Sequence, residues 1–191
     1  MRLRASQPTQ RLYFALWPHA EARQVLSDAV AEVLLRSGGR PVPSANLHVT
    51  LVFLGAVPSH RIAELAAVAR SCAAPGASTA ALTLCFDQVA HWAELRVLAA
   101  LARGRAPAVS ALALALREGT AGAGFTPDLK PFRAHVTVAR QVVQPPPPLT
   151  MRAVTWAFQS FALIDSRSNG GTPVYSVVES YPLVGLQKAH E

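Results

Sequence analysis

Two copies of the tripeptide His-Val-Thr are the residues of this chain best suited to chemistry. They place His48 two residues before Thr50 and His135 two residues before Thr137, each inside a run that predicts a β-strand. Because residues i and i+2 of a strand point to the same face, each motif sets an imidazole beside a hydroxyl. Two such strands lying side by side would aim both pairs at one bound group, and that arrangement suits a phosphodiester.

The residues between and after these side chains are apolar, which predicts that each motif strand has one face on a core. Val49, Leu51 and Phe53 are expected on the core face of the first strand. Val136 and Val138 are expected on that of the second. The opposite face of each strand is then free to line a cleft.

A single His-x-Thr in a strand is most often a structural histidine, but two copies in matching settings favour an acid and a base. Histidine titrates near neutral pH, so one ring can be neutral while the other is protonated. The remaining histidines lack such a setting and are predicted to lie on the surface: His19, His60, His91 and His190.

The composition predicts one globular domain with a basic surface. The chain has 191 residues, 51% of them hydrophobic, and a formal net charge of +7. Nearly all the positive charge is arginine, whose planar fork matches pairs of phosphate oxygens. The charge favours a nucleic-acid or nucleotide ligand, although a general bias toward arginine and alanine explains it equally well.

Neither a disulfide framework nor a metal site is predicted. Cys72 and Cys85 are the only cysteines, and they neither form a CxxC pair nor lie near a cluster of histidines. A metal held by the two motif histidines would need a third ligand, and Asp87, Asp128 and Asp165 show no diagnostic spacing for one. We therefore expect no metal and no cofactor.

The ends of the chain predict a domain over residues 11–185. Residues 1–10 have no apolar signal-peptide core and are expected to be a disordered N-terminus, and residues 186–191 a C-terminal tail. No apolar run is long enough to cross a membrane. These features predict a cytoplasmic protein, and a cleft formed within one chain predicts a monomer.

The hydrophobic periodicity predicts alternating strands and helices. Helices are expected at 21–36, at 59–74 with Ser59 as N-cap, and at 107–118. Strands are expected at 11–17, 46–54, 79–89, 95–101, 134–139, 156–165 and 174–179, the third and fourth forming a hairpin.

Several of these strands are too closely connected for parallel crossovers, so the fold class is predicted to be α+β with antiparallel sheets. Proline pairs precede both motif strands, which indicates two pseudo-symmetric lobes with outer helices and a central cleft. The proline run from Pro145 to Pro148 is predicted to be an extended spacer. No nucleophile elbow, Walker loop, zinc-protease motif or dinucleotide fingerprint is present.

The sequence resembles the two-histidine (2H) phosphoesterases, and among them the RNA 2′,3′-cyclic phosphodiesterases historically called 2′-5′ RNA ligases. The resemblance rests on both motif blocks with their flanks, NLHVTLVFLG at 46–55 after RPV at 40–42, and FRAHVTVAR at 132–140. RLYFAL at 11–16 is similar to the first strand of that family. Residues 145–148 and 166–172 match nothing with which they could be aligned.

The resemblance implies a bilobal fold and metal-free opening of a terminal 2′,3′-cyclic phosphate to a 2′-phosphate, with possible reversible 2′-5′ RNA ligation. By motif, His48 resembles the proton donor and His135 the proton acceptor, while Thr50 and Thr137 resemble the phosphate-binding hydroxyls. Arg140 also belongs to the matched block. A regular strand would put Arg140 on the face opposite His135, where an edge ion pair is the alternative to a phosphate contact.

The expected partner is RNA with 2′,3′-cyclic phosphate ends, tRNA fragments included, or a small cyclic nucleotide. Trp92 and Phe14 are candidates for stacking a base, with core packing as the alternative for each. A rival function is a basic RNA-binding module whose histidines bind phosphate without turnover.

Overall fold

Two antiparallel sheets and three α-helices form the part of the chain that the computed structural model describes, namely residues 8–73, 82–144, 147, 149–169 and 172–183. The elements follow in the order β1 (Thr9–Leu16), α1 (Ala20–Ser37), β2 (Arg40–Pro41), β3 (Val49–Pro58), α2 (Ile62–Ala73), β4 (Leu82–Trp92), β5 (Val97–Ala102), α3 (Pro107–Gly122), β6 (His135–Arg140), β7 (Leu149–Phe158), β8 (Ser160–Asn169) and β9 (Thr172–Pro182).

The two sheets share the motif strands between them. The first sheet has the order β3-β1-β8-β9 and the second the order β2-β6-β5-β4-β7. All of their strand pairs are antiparallel. The predicted α+β class is thus confirmed, and each lobe carries one His-Val-Thr motif, on β3 or on β6.

The helices pack against one side of each sheet and bury the main core. Helix α1 lies against β6 and β7, where the Trp156 indole Nε1 donates to the Ala22 carbonyl at 2.9 Å. Helices α2 and α3 lie against each other, α2 on β9 and α3 on β3. A separate small apolar cluster that includes Tyr13 and Ala15 lies on the other face of the first sheet.

Helix α1 follows its sequence pattern closely. Leu26, Val30 and Val33 lie on one stripe of the helix and are buried, as a 3.6-residue period requires. The helix ends where Gly38 adopts φ 58°, a left-handed conformation that glycine takes without the steric cost of a Cβ. The prediction of a helix at 21–36 is therefore confirmed, with one more residue at each end.

Strand β3 runs further than the sequence predicted. Gly55 was expected to close the strand, but pairing with β1 continues to Pro58, which lies opposite Thr9. The extra residue Leu54 bulges between the pairs formed by Phe53 and Gly55, and Gly55 has φ 72°. The glycine therefore accommodates a β-bulge inside the strand and does not end it.

The start of the second helix was also predicted wrongly. Residues 59–61 form a 3₁₀ turn, and α2 begins only at Ile62. The Ser59 hydroxyl donates to the Pro8 carbonyl at 3.0 Å, so it ties this turn to the chain before β1 and caps no helix. Helix α3 begins at Pro107 as predicted but continues through Gly119 to Gly122.

The predicted strand at 156–165 is two strands in different sheets. Strand β7 ends at Phe158 and β8 begins at Ser160, so the chain crosses from the second sheet to the first at Gln159. Both strands are apolar up to the crossing, which is why one continuous run was predicted. The predicted hairpin is confirmed, since β4 and β5 pair antiparallel.

Strand β1 begins at Thr9, within the segment expected to be a disordered tail. The predictions for residues 1–7, for the 186–191 tail and for most of the Pro145 to Pro148 spacer lie outside the described residues. Among the described helices, none has both the length and the apolar character needed to cross a bilayer.

Candidate active site

Both His-Val-Thr motifs line one small cavity between the two sheets. This cavity has a volume of about 40 Å³ and is bordered by His48, Thr50, His135, Thr137 and Arg140, besides other residues. The structure therefore brings together all five side chains that the sequence singled out. A cavity of this size can hold only the few central atoms of one bound group.

Arg140 reaches the cavity because β6 contains a β-bulge. Thr137 pairs with Ala99 and Ala139 pairs with Leu98, so Val138 is an extra residue between them. Val138 and Ala139 are both buried, and the alternation of faces is reversed beyond this point. A regular strand would have put Arg140 on the face opposite His135, and the bulge is the reason that it does not lie there.

Strand β3 has a matching bulge at the equivalent position. Thr50 pairs with Ala15 and Val52 pairs with Phe14, which leaves Leu51 as the extra residue. Phe53 is consequently on the cleft face, not in the main core as predicted. Counted from the threonine of each motif, Phe53 and Arg140 occupy the same position, so one wall of the cleft carries an aromatic ring where the other carries a cation.

Both imidazoles are oriented by the same backbone contact. The Nδ1 of His48 lies 2.7 Å from the Asn46 carbonyl oxygen, and the Nδ1 of His135 lies 2.7 Å from that of Arg133. Because a carbonyl only accepts, Nδ1 is the donor in both rings, and Nε2 is left to exchange protons. The His48 Nε2 lies 3.2 Å from the Thr50 hydroxyl.

Aromatic rings enclose His48. Trp17 stacks on the imidazole with centroids 5.4 Å apart, Tyr13 packs against it at 5.0 Å, and Tyr175 meets it edge-on at 5.4 Å. Ala15 carries no side chain beyond Cβ in this cluster, which leaves room for the larger rings. None of these three aromatic residues was predicted from the sequence to lie at the site, and only the cleft-facing position of Tyr13 on β1 could have indicated one of them.

A tryptophan also accompanies His135. The Trp92 ring lies 4.4 Å from the imidazole, and the Arg133 guanidinium lies 5.9 Å from the Trp92 ring. Trp92 is half-buried beside the site, whereas Phe14, the other stacking candidate, is fully buried in the main core. Phe14 therefore cannot meet a ligand.

Burial lowers the pKa of both motif histidines. For His48 burial is the largest cause, the hydrogen bond to Asn46 opposes it, and the Arg140 charge adds to it, so that the pKa falls to about 4. For His135 burial again lowers the pKa, with the hydrogen bond to Arg133 opposing it. Without a ligand both rings are neutral at pH 7, and an anion between them would favour protonation.

A larger cavity of about 380 Å³ opens on the His48 side. Its walls come from the cleft face of the first sheet and include Tyr13, Phe53 and Tyr175, together with His48 and Thr50. Arg140, His48 and Thr50 border both cavities, so the larger cavity is continuous with the small one. A volume of this order is typical of a small-molecule site.

Arg140 is available to a ligand. Its side chain is exposed and forms no ion pair with any carboxylate in the described ranges. The three aspartates considered as metal ligands are engaged elsewhere: Asp87 with Arg103, Asp165 with Arg167, and Asp128 with the Lys130 amide.

The described residues contain no group of three or more His, Cys, Asp or Glu side chains that could hold a metal ion. Cys72 and Cys85 are free thiols. Of the four histidines predicted on the surface, His19 and His60 are exposed, His91 is half-buried in β4, and His190 lies outside the described residues.

The depressed pKa of His48 predicts that the ligand-free protein loses stability in acid. Between the ordinary histidine pKa of about 6.5 and about 4, the unfolded chain takes up a proton that folded His48 refuses, so the free energy of unfolding should fall as pH falls. Urea unfolding at several pH values measures this slope. The slope should be shallower in His48→Gln, and an unchanged slope would contradict the prediction.

Tyr13 should tolerate loss of its hydroxyl. The residue is 4% exposed, and its buried hydroxyl has no hydrogen-bond partner among the described residues. Burial also raises its pKa, so the group is a neutral phenol. Because an unmet buried polar group costs about 1–3 kcal/mol, Tyr13→Phe is expected to unfold at an equal or higher temperature. A clear loss of thermal stability would show that the hydroxyl has a partner.

Comparison with known proteins shows which family has this fold and these paired motifs. The sequence model of the 2′-5′ RNA ligase superfamily matches residues 14–169, which is most of the chain. This protein therefore belongs to that superfamily, as the motif blocks had suggested.

The similarity to individual relatives extends over nearly the whole length of the chain. The chain is 31% identical to the RNA 2′,3′-cyclic phosphodiesterase of Escherichia coli over 93% of this chain and 98% of that protein. It is also 31% identical to the Thermus thermophilus protein of the same name, covering 92% and 91% of the two chains. Among solved structures, E. coli LigT complexed with 3′-AMP superposes with a TM-score of 0.79 at 28% identity, covering 93% of this chain and 99% of that one.

Proposed function

We propose that this protein is an RNA 2′,3′-cyclic phosphodiesterase that opens the cyclic phosphate to a 2′-phosphomonoester without a metal. The observation that carries the proposal is the single cavity shared by both histidines, both threonines and Arg140. In-line displacement at phosphorus needs a base on one side and an acid on the other. Two imidazoles on opposite walls fit that requirement, and relatives named for this activity match nearly the whole chain in sequence.

The shape of the cleft supports a direction for the reaction. In a 2′,3′-cyclic phosphate the leaving oxygen belongs to the ribose, so the nucleoside and the general acid lie on the same side of phosphorus. The nucleoside-sized cavity opens on the His48 side and includes neither His135 nor Thr137 in its walls. We accordingly assign His48 as the proton donor and His135 as the proton acceptor.

Each step then has a named group. Neutral His135 takes a proton from water as the water oxygen bonds to phosphorus, and the bond from phosphorus to the 3′ oxygen breaks. Protonated His48 gives its proton to that oxygen, leaving a 3′ hydroxyl and a 2′ phosphate. Thr50 and Thr137 donate to the non-bridging oxygens, and Arg140 offsets the added charge of the phosphorane. The negative charge of the bound substrate raises the pKa of His48, which is low in the empty cleft, so that the ring takes up a proton from solvent.

The same step with an RNA 5′ hydroxyl as the nucleophile in place of water gives a 2′-5′ phosphodiester and a free 3′ hydroxyl without ATP. We propose this ligation only as a side activity. We further propose that the protein acts as a cytoplasmic monomer on cyclic-phosphate ends such as those of tRNA fragments. A complete site within one chain supports the monomer, and sedimentation at micromolar concentration tests it.

Incubation with a 2′,3′-cyclic mononucleotide in excess EDTA tests the function. Release of the 2′-phosphate isomer without metal is the expected result. Binding of the nucleotide without any product would support the rival RNA-binding module, and turnover abolished by EDTA would contradict the metal-free mechanism. Determining whether the product carries its phosphate on the 2′ or the 3′ oxygen distinguishes this reaction from hydrolysis that leaves a 3′-phosphate.

The two threonines are expected to contribute less than the histidines. Thr50→Val or Thr137→Val keeps the shape of the side chain and removes one neutral donor, so kcat/KM should fall by roughly tenfold. Steady-state kinetics on a cyclic mononucleotide measures this. Thr83→Val, an exposed threonine of β4, is a control that should leave kcat/KM unchanged. Wild-type activity in both motif variants would remove the threonines from the mechanism.

A further inference from the structure

The larger cavity extends well beyond the space that a phosphate occupies. It runs from His48 and Thr50 along the cleft face of the first sheet to Arg11. Arg11, Tyr13 and Ala15 alternate on that face of β1, and Ala15 is paired with Thr50. With a rise of about 3.3 Å per strand residue, the backbone of Arg11 lies about 13 Å from the threonine row. Arg11 therefore marks the far end of the cavity.

The side chain of Arg11 is exposed and lies over the Phe53 ring, with 4.9 Å from the guanidinium carbon to the ring centroid. It forms no ion pair with a carboxylate in the ranges the structure describes. Stacking on an aromatic face holds the guanidinium plane in place while its N–H donors remain free. Such a group suits an anionic oxygen.

Arg167 borders the same cavity but is not equivalent. Its Nε donates to the buried carboxylate of Asp165 at 2.6 Å, so part of its charge is already balanced. Strand alternation also puts its side chain on the face of β8 opposite Ser166 and Ser168. Among the described residues that border this cavity, Arg11 is thus the cation at its outer end that is left for a ligand.

We propose that Arg11, held over Phe53, binds the phosphodiester on the 5′ side of the nucleotide that carries the cyclic phosphate. The inference rests on the proposed function, because it takes the reacting phosphate to lie between the two histidines. The terminal nucleoside then lies between the small cavity and the Arg11–Phe53 pair, beside Tyr175, and the next phosphate of the chain meets Arg11. The site consequently prefers oligonucleotides to cyclic mononucleotides, since a mononucleotide has no phosphate for Arg11 to bind.

Two substrates separate this proposal from a purely structural role of Arg11. A 2′,3′-cyclic mononucleotide and a dinucleotide with the same 2′,3′-cyclic end differ by one 5′ phosphodiester and its nucleoside. The wild-type protein should show the higher kcat/KM on the dinucleotide. Arg11→Gln should lower kcat/KM on the dinucleotide by roughly tenfold, the effect of one charge-assisted hydrogen bond, and leave the mononucleotide within twofold of wild type.

Salt dependence and a control variant sharpen the test. Added salt should weaken the preference for the dinucleotide in the wild-type protein and less so in Arg11→Gln, because a phosphate contact has been removed. Arg152 is an exposed arginine of β7 in the other sheet, and Arg152→Gln removes the same charge away from the cavity. This control should keep the wild-type preference.

The proposal is overturned if Arg11→Gln slows both substrates equally, or if it slows neither. The equal effect would assign Arg11 to the structure of the cleft, and no effect would make it a surface residue. If the wild-type protein turns over neither substrate, the proposed function itself fails. If it turns over both with equal kcat/KM, the proposed function stands and the Arg11 proposal is overturned.

Discussion

Replacement of either motif histidine by alanine is expected to lower kcat/KM on a 2′,3′-cyclic nucleotide by about 10²–10⁴-fold. His48 and His135 border the same cavity, and both offer Nε2 for proton transfer because Nδ1 donates to a backbone carbonyl. Removing one ring leaves either the water without a base or the leaving oxygen without an acid. The double variant should lose little more than each single variant, since the two groups act in one step.

The two histidines can be told apart by the leaving group. A p-nitrophenyl phosphodiester releases a weakly basic oxygen that needs no proton donor. Loss of the acid should therefore be largely compensated on this substrate, whereas loss of the base should not. If His48 is the donor, His48→Ala recovers activity relative to wild type and His135→Ala does not. The opposite pattern would exchange the two roles.

Two further variants distinguish a loss of catalysis from a loss of folding. His60→Ala changes an exposed histidine in the turn before α2 and should leave kcat/KM unchanged. His48 is packed among Tyr13, Trp17 and Tyr175, so His48→Gln is a second variant that fills more of the same space. Either motif variant retaining near-wild-type turnover, with thermal unfolding at the wild-type temperature, would contradict the two-histidine mechanism.

Arg140→Ala is expected to have the next largest effect, a loss of about 100-fold in kcat, because one preorganised donor at a developing charge contributes about 10²–10³-fold. The guanidinium borders both cavities and forms no ion pair among the described residues. Arg140→Lys keeps the charge and loses the planar fork, so it should recover only part of the rate.

Arg152→Gln is the matched control, as β7 carries this exposed arginine at the far edge of the same sheet. Removal of Arg140 should also raise the pKa of His48, because the arginine charge lowers it. An NMR titration of the His48 ring in Arg140→Ala measures that shift. An unchanged pKa together with unchanged kcat would place Arg140 outside the site.

The sequence was sufficient to predict most of the elements and the four motif side chains of the small cavity, because both depend on local patterns. Alternation along a strand pairs His48 with Thr50, and the repeated motif indicated that two strands carry equivalent groups. The α+β class followed from the short connections, and it is confirmed. Helix α1 was predicted to within one residue at each end because its buried stripe is regular.

The orientation of Arg140 and Phe53 could not be predicted, because it depends on β-bulges. A bulge reverses the alternation of faces beyond it. Leu51 and Val138 are ordinary strand residues, so the residue types at the two bulges give no sign of them. Bulges arise from the pairing of two strands distant in sequence. Strict alternation therefore placed Phe53 on the wrong face, and it would have done the same for Arg140 in a regular strand.

The aromatic enclosure of His48 was missed for a related reason. Tyr13, Trp17 and Tyr175 come from β1, the segment after it, and β9, and they meet only through the pairing of β1 and β9 with β8. The crossing at Gln159 was hidden because β7 and β8 are both apolar at their joined ends. Topology, and not residue type, determines these contacts.

A crystal structure of this protein with a bound 2′-phosphate mononucleotide tests the central claim most directly. We expect the phosphate to lie in the small cavity, with oxygens within about 2.6–3.2 Å of Nε2 of both His48 and His135. The nucleoside should lie in the larger cavity beside Tyr175. A phosphate bound outside this cavity, or one in contact with a single imidazole, would contradict it.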